Sequence, residues 1–174
     1  MQQPNLIPTG PADMRLRTIR GYDFSEVSSA MQKAVRRGET QLAGYWLLNE
    51  SEWYTSAYLK YDASAIWTYP TQSNSAPDST GKDPLNFANF GGAFGETTPV
   101  DFFDQSPGPF DTFNQGGNVR EWTETLDNSS GTPMRIIRGG SWADPASAMR
   151  ADESQIADPS LEDDKTGFRI GGAP

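Results

Sequence analysis

The chain has 174 residues and contains neither cysteine nor histidine, so it has room for one domain, or one domain with a small appendage. The missing side chains exclude thiol nucleophiles, disulfide exchange, thiolate or imidazole metal sites and Ser-His-Asp triads. The formal net charge of -9 is uneven, with seven Lys/Arg against six Asp/Glu in residues 1–60 and seven against seventeen in residues 61–174; the acidic body disfavours nucleic acid and anionic membrane surfaces.

In chain order, residues 1–21 read as an extended lead-in with a short basic stretch, Arg15-Leu16-Arg17-Thr18-Ile19-Arg20. The N-terminus has neither a basic n-region nor an apolar h-region, so no secretory signal is expected there. Asp23 with Glu26 three residues on forms a capping pattern, and Val27, Met31 and Val35 recur on one helical face, which predicts a helix over 24–37. Arg36 and Arg37 suit its last turn and Gly38 its C-terminal cap. Asn49 followed by Glu52, then Trp53, Ala57 and Tyr58, predicts a second helix over about 50–60.

From Thr71 to Gly117 the chain is rich in Ser, Asn, Pro and Gly, yet Phe87, Phe90, Phe94, Phe102 and Phe110 recur through it. A disordered segment lacks such rings, so the composition predicts irregular loops pinned onto a core. Two strand candidates close the chain, residues 134–138 and 167–170. Gly139-Gly140 after the first of these permits a turn or a close backbone approach, and Trp142 supplies a large ring to bury. Trp53 and Trp122 read as core anchors, and Arg169 as an arginine that clamps carboxylates or carbonyls. No apolar run approaches the length that crosses a bilayer.

Three blocks in order carry a resemblance. They are Tyr45-Trp46-Leu47-Leu48-Asn49-Glu50-Ser51-Glu52-Trp53, continued by residues 67–77; Gly117-Asn118-Val119-Arg120-Glu121-Trp122; and Arg138-Gly139-Gly140-Ser141-Trp142, answered by Gly167-Phe168-Arg169. Over about residues 44–170 the chain resembles the formylglycine-generating-enzyme (sulfatase-modifying factor) superfamily. The resemblance implies an α+β, C-type-lectin-like fold of short strands, two or more helices and long ordered loops. Residues 1–43 depart from the family pattern and are expected to be a lead-in and helical appendage to a domain at 44–174.

The resemblance also implies calcium as the one cofactor to expect. Asn114 and Glu121 would give it side-chain oxygens, and Gly117 and Val119 carbonyls, a donor set that suits a hard cation. A second family site would begin at Asn89-Phe90, but its aspartate-bearing segment is shortened here to Ala93-Phe94-Gly95-Glu96. The family's oxygenase chemistry needs a pair of cysteines before the final strand, and the related sulfoxide synthases need histidines; this chain has neither. Asp152-Glu153 and Glu162-Asp163-Asp164 read as solvated acidic runs.

The expected function is therefore a non-catalytic module that binds a protein or glycan ligand, with Trp67, Tyr69, Phe110 and Trp142 as candidate contact residues on the loops. The alternatives are an enzyme or maturation factor of the sulfatase-modifying type with altered chemistry, and a phage or retroelement-type display protein that binds a receptor.

Overall fold

The computed structural model describes residues 44–129 and 131–173, so the helix expected over 24–37 and the boundary at residue 43 lie outside the described residues. The elements are β1 (Gly44–Leu47), α1 (Glu50–Tyr58), β2 (Arg120–Asp127), β3 (Met134–Arg138), a 3-10 turn (Ala146–Met149), β4 (Gln155–Ala157), β5 (Thr166–Phe168) and β6 (Ile170–Ala173). Among the described residues, none of the helices is long and apolar enough to cross a membrane.

The helix α1 begins where the sequence predicts. The Asn49 Oδ1 accepts from the Glu52 backbone N–H at 2.8 Å, and a Glu52 carboxylate oxygen accepts in return from the Asn49 N–H at 2.8 Å. Two N–H groups that the first turn would leave without partners are thereby satisfied. The helix stops at Tyr58 and not at residue 60, because Leu59 is extended at φ -67° and ψ 127° and bridges to Ile66. Trp53 and Ala57, one turn apart, pack with Tyr58, Trp46, Leu48 and Ala151 in one core cluster. The Tyr58 hydroxyl donates to the Met149 carbonyl at 2.9 Å, and burial pushes its pKa up.

Two sheets frame this core. β1 and β6 pair antiparallel, while the larger sheet runs β4-β3-β2-β5, with β2–β5 parallel and the other pairs antiparallel. β2 pairs Trp122 with Ile137 and Leu126 with Arg135, so its register shifts between Trp122 and Leu126; such a bulge bends the strand. α1 is tied to β2 where the Thr125 hydroxyl accepts from the Glu50 N–H at 2.9 Å and the Leu48 carbonyl accepts from the Glu124 N–H at 2.8 Å.

The strand expected over 167–170 is divided. Phe168 ends β5, Ile170 begins β6 in the other sheet, and Arg169 between them turns its side chain inward. Gly139 (φ +93°) meets the close-approach expectation, because a Cβ there would stand 2.7 Å from the Gln115 carbonyl oxygen and 3.2 Å from the Trp53 ring. Trp122 and Trp142 are only half-buried, in contrast to Trp53, which has no exposure.

Between α1 and β2, residues 59–119 contain no helix or strand beyond isolated bridges. They are ordered by polar pins instead. The carboxylate of Asp78 accepts from the Thr80 hydroxyl and from the Lys82 backbone, and its own main chain bonds Asn86 and Ala88. Tyr69, Ala88 and Met149 form a second buried cluster, with Phe90 and Ala146 packed against it.

Candidate functional site

The loop leading into β2 takes its shape from three left-handed residues, Asn114 (φ +54°), Gly117 (φ +74°) and Asn118 (φ +62°). At Gly117 a Cβ would lie 2.2 Å from the Asn89 carbonyl oxygen, so glycine is required for space as well as for conformation. The Asn118 Oδ1 accepts from the Thr98 N–H at 2.8 Å and from the Asn89 amide at 3.2 Å, and its backbone bonds Asn89 and Trp142. This asparagine knots the 89–98 loop to the loop that precedes β2.

Glu121 is 4 % exposed, and both of its carboxylate oxygens are engaged. Oε2 accepts from the Trp53 indole N–H at 2.6 Å and from Arg169 Nε at 3.1 Å, while Oε1 accepts from an Arg169 terminal nitrogen at 2.8 Å. That same nitrogen donates to the Phe113 carbonyl at 2.7 Å. Arg169 is thus the clamp that its position next to Phe168 suggested.

These contacts bear on the expected calcium ligand set. Glu121 is the sole carboxylate among Asn114, Gly117, Val119 and Glu121, and its negative charge is already matched by a guanidinium in two-point contact. Asn114 turns its amide nitrogen to the Val100 carbonyl at 3.2 Å, and the Gly117 N–H bonds the Gly139 carbonyl at 2.9 Å. Both are donor contacts and use neither the Asn114 Oδ1 nor the Gly117 carbonyl, the oxygens that would face calcium; a calcium site gains affinity from accumulated ligand charge, and this set offers one carboxylate. At the second expected position Asn89 is buried, donates to the Glu96 carbonyl at 2.8 Å and leaves its Oδ1 without a partner. Among the described residues no three acidic side chains gather into a metal-binding group.

The segment where the resemblance would place reactive cysteines is occupied by structure. The Asp144 carboxylate accepts from the Ser141 N–H at 2.9 Å and hydroxyl at 2.7 Å, and Met149 is buried. The acidic runs carry their own cations: Asp152 pairs with Arg150, Asp163 with Arg120, and Asp164 with Lys165. A cavity lined by Pro70, Phe87, Ser106, Asn114 and Gln115 measures about 10 Å³, room for about one water and far from the roughly 300 Å³ of a small-molecule pocket.

The four candidate contact residues separate by role. Tyr69 is buried in the second core cluster, and Trp67 carries the Lys60 ammonium 4.2 Å from its ring centroid. Trp142 is half-buried beneath Lys165, 5.2 Å away, and Phe110 is also half-buried.

A different set of rings reaches the surface. Phe103 is 3 % exposed and anchors Phe87 at 4.6 Å and Phe102 at 5.0 Å; Phe94 stands edge-on to Phe102 at 5.4 Å. Phe94 and Phe102 are 37 % and 50 % exposed, with Val100 beside them in sequence and also exposed. Residues 83–119 contain Asp83, Glu96, Asp101, Asp104 and Asp111 but no lysine or arginine. Sequence reasoning treated these phenylalanines as pins; the signal it passed over was their alternation with unpaired-in-sequence acids.

Comparison with known proteins places this geometry. The sulfatase-modifying factor enzyme 1-like domain matches residues 15–171. No curated protein matches the chain. Among solved structures, Treponema denticola variable protein 1 is similar at 24 % identity and a TM-score of 0.56, covering 76 % of this chain and 49 % of its own. PvdO from Pseudomonas aeruginosa is similar at 24 % identity and 0.53, covering 82 % and 56 %, and CarF at 19 % and 0.52, covering 76 % and 49 %. The chain therefore spans about half the length of these structures. At such identities the likeness carries the fold, which is α+β and C-type-lectin-like.

Proposed function

We propose that this chain, which belongs to the family of sulfatase-modifying factor enzyme 1-like domains, serves as a ligand-binding member of that family and not as one of its catalysts. The phenylalanine platform carries the reading. Phe94 and Phe102 present apolar area to solvent while held edge-to-face on the buried Phe103. Rings fixed before binding lose little entropy on contact, and contiguous exposed apolar groups with a polar rim mark interaction sites. The acids interleaved with these rings along residues 83–119 favour a protein ligand that offers apolar side chains together with lysine or arginine, because guanidinium and ammonium groups pair with carboxylates and stack on rings. A glycan would stack on the same rings without using the charge.

The absence of cysteine and histidine is the argument against the maturation-factor alternative. With copper, a reductant and a cysteine-bearing sulfatase-motif peptide, the expected result is no change of peptide mass, and an aldehyde product would overturn the non-catalytic reading. The display-protein alternative draws on the similarity to the Treponema denticola variable protein, and it is a specialised form of the same binding role.

Selection of displayed peptides against the full chain tests the platform. Enriched peptides are expected to be basic and apolar, and to lose at least about tenfold in affinity on the Phe94→Ser/Phe102→Ser variant, about 1.4 kcal/mol. Peptides that bind both proteins equally would overturn the assignment of this face.

A further inference from the structure

Granted the phenylalanine platform as a binding face, we infer that its occupant in the free protein is the chain's own basic stretch, residues 14–22, held there within one molecule, so that an outside partner must displace it.

The two segments are chemically complementary. Residues 14–22 lie outside the described residues; in sequence they set Arg15, Arg17 and Arg20 among Leu16 and Ile19 and contain no acid. The platform offers the counterpart. Phe94 and Phe102 are exposed above the buried Phe103, and the exposed Asp101 and Asp104 are the immediate chain neighbours of Phe102 and Phe103. Successive Cα atoms stand about 3.8 Å apart, so a guanidinium resting on the Phe102 ring is within reach of a carboxylate. Arginine suits such a place, because its plane stacks on a ring while its N–H groups meet an acid. A second copy of the platform would be a poor occupant, since it would set carboxylates against carboxylates.

Residues 21–43 are long enough to deliver the stretch. They join it to Gly44, where β1 begins. Even with 24–37 wound as a helix, this connection reaches roughly 50 Å, against a breadth of roughly 35 Å for a compact domain of this size. The family match itself begins at residue 15, which keeps the stretch and the platform within one matched region. Tethering also makes a weak contact sufficient. A flexible connection holds its end at an effective concentration on the order of 1 mM, so a stretch with a dissociation constant of about 0.1 mM fills the platform about nine-tenths of the time and weakens an outside competitor about tenfold. The consequence is a site with a threshold, open only to partners whose basic and apolar groups outcompete those already in the chain.

The probe is a labelled synthetic peptide of residues 12–22, and every protein tested is the full chain. Arg15→Glu/Arg17→Glu/Arg20→Glu vacates the platform, so it is expected to bind the peptide about tenfold more tightly than the wild type does. Adding Phe94→Ser/Phe102→Ser to that variant is expected to abolish the binding. Because the chain has no cysteine, Thr18→Cys/Thr97→Cys supplies a second and direct reading. Mild oxidation is expected to close a disulfide within one chain, at a yield that falls sharply when the three arginines are reversed. Equal affinity of the peptide for the wild type and the charge-reversed variant, peptide binding that survives loss of the two rings, or cysteines that join only between two chains would each overturn the inference. A 12–22 peptide that binds neither protein, while selected basic peptides still depend on Phe94 and Phe102, overturns this occupant and leaves the platform standing; if the selected peptides ignore those rings as well, the platform itself fails.

Discussion

The corner formed by Trp53, Glu121 and Arg169 and the platform formed by Phe87, Phe94, Phe102 and Phe103 use the same kinds of side chain to opposite ends. At the corner, a buried acid, a buried aromatic and a partly buried base satisfy one another. At the platform, acids and rings alternate along the 83–119 segment, which contains no basic residue. The first arrangement spends its charge on the fold; the second leaves charge and apolar area for a partner. Regular elements carry the corner, whereas turns and side-chain hydrogen bonds carry the platform.

The contrast breaks first at Glu121. Glu121→Ala would leave the Trp53 N–H without its acceptor and the Arg169 guanidinium with the Phe113 carbonyl alone; loss of one partner of a fully buried ion pair costs about 3–5 kcal/mol, and the partial exposure of Arg169 puts this pair toward about 3. A fall of roughly 10 °C in the melting temperature is expected for a domain of this size. The double variant Glu121→Gln/Arg169→Met keeps an acceptor for Trp53 and removes both charges, so it is expected to melt well above Glu121→Ala. If the double variant melts at or below the single, the corner is held by something other than the ion pair.

A smaller effect separates the two layers of the platform. Phe103→Ala empties a buried site and is expected to cost about 3–4 kcal/mol. Phe102→Ala removes a half-exposed ring and is expected to cost about 1 kcal/mol, mostly lost ring contacts. Denaturant melts of the two variants check this, and equal losses would mean that Phe102 is a core residue and that the platform is not a free surface.

The sequence disclosed the corner better than the platform, for a physical reason. Asn49 and Glu52 sit at the spacing of a reciprocal cap, and Gly139-Gly140 follows a strand, so local chemistry announces α1 and the turn after β3. Arg169 was legible as a clamp, but that its carboxylate partner is Glu121, 48 residues away, was not, because sequence order does not say which acid a guanidinium meets. β1, β2, β4 and the division of β5 from β6 were not legible. Their strands are short, and β2 bulges, so the period-two pattern never repeats enough to be seen. Tyr69 and Trp67 illustrate the same limit: residues two apart in one irregular stretch, one sealed in a core and the other under a lysine.

The smallest expected effect lies in the loop that presents Phe87, and it is read in acid. Desolvation opposes ionisation of Asp78, but hydrogen bonds from the Thr80 hydroxyl and the backbone of Lys82, Thr80 and Asp83 outweigh it, lowering the pKa to about 2 from the usual 3.8. A carboxyl depressed on folding contributes stability that is present above its unfolded pKa and is lost as the pH falls through the folded one. Asp78→Asn retains one acceptor oxygen but presents an amide to the Lys82 N–H, so it is expected to melt below the wild type near neutral pH. The gap should narrow as the pH falls from about 4 to about 2, because the wild type loses by protonation what the variant has already lost. Asp62, Asp127, Asp152, Asp158 and Asp163 are also depressed, but they titrate in both proteins and cancel in the difference. Paired melts across this range decide the point: a gap that stays constant with pH would mean that Asp78 orders the 78–88 loop by shape alone and that its charge contributes nothing.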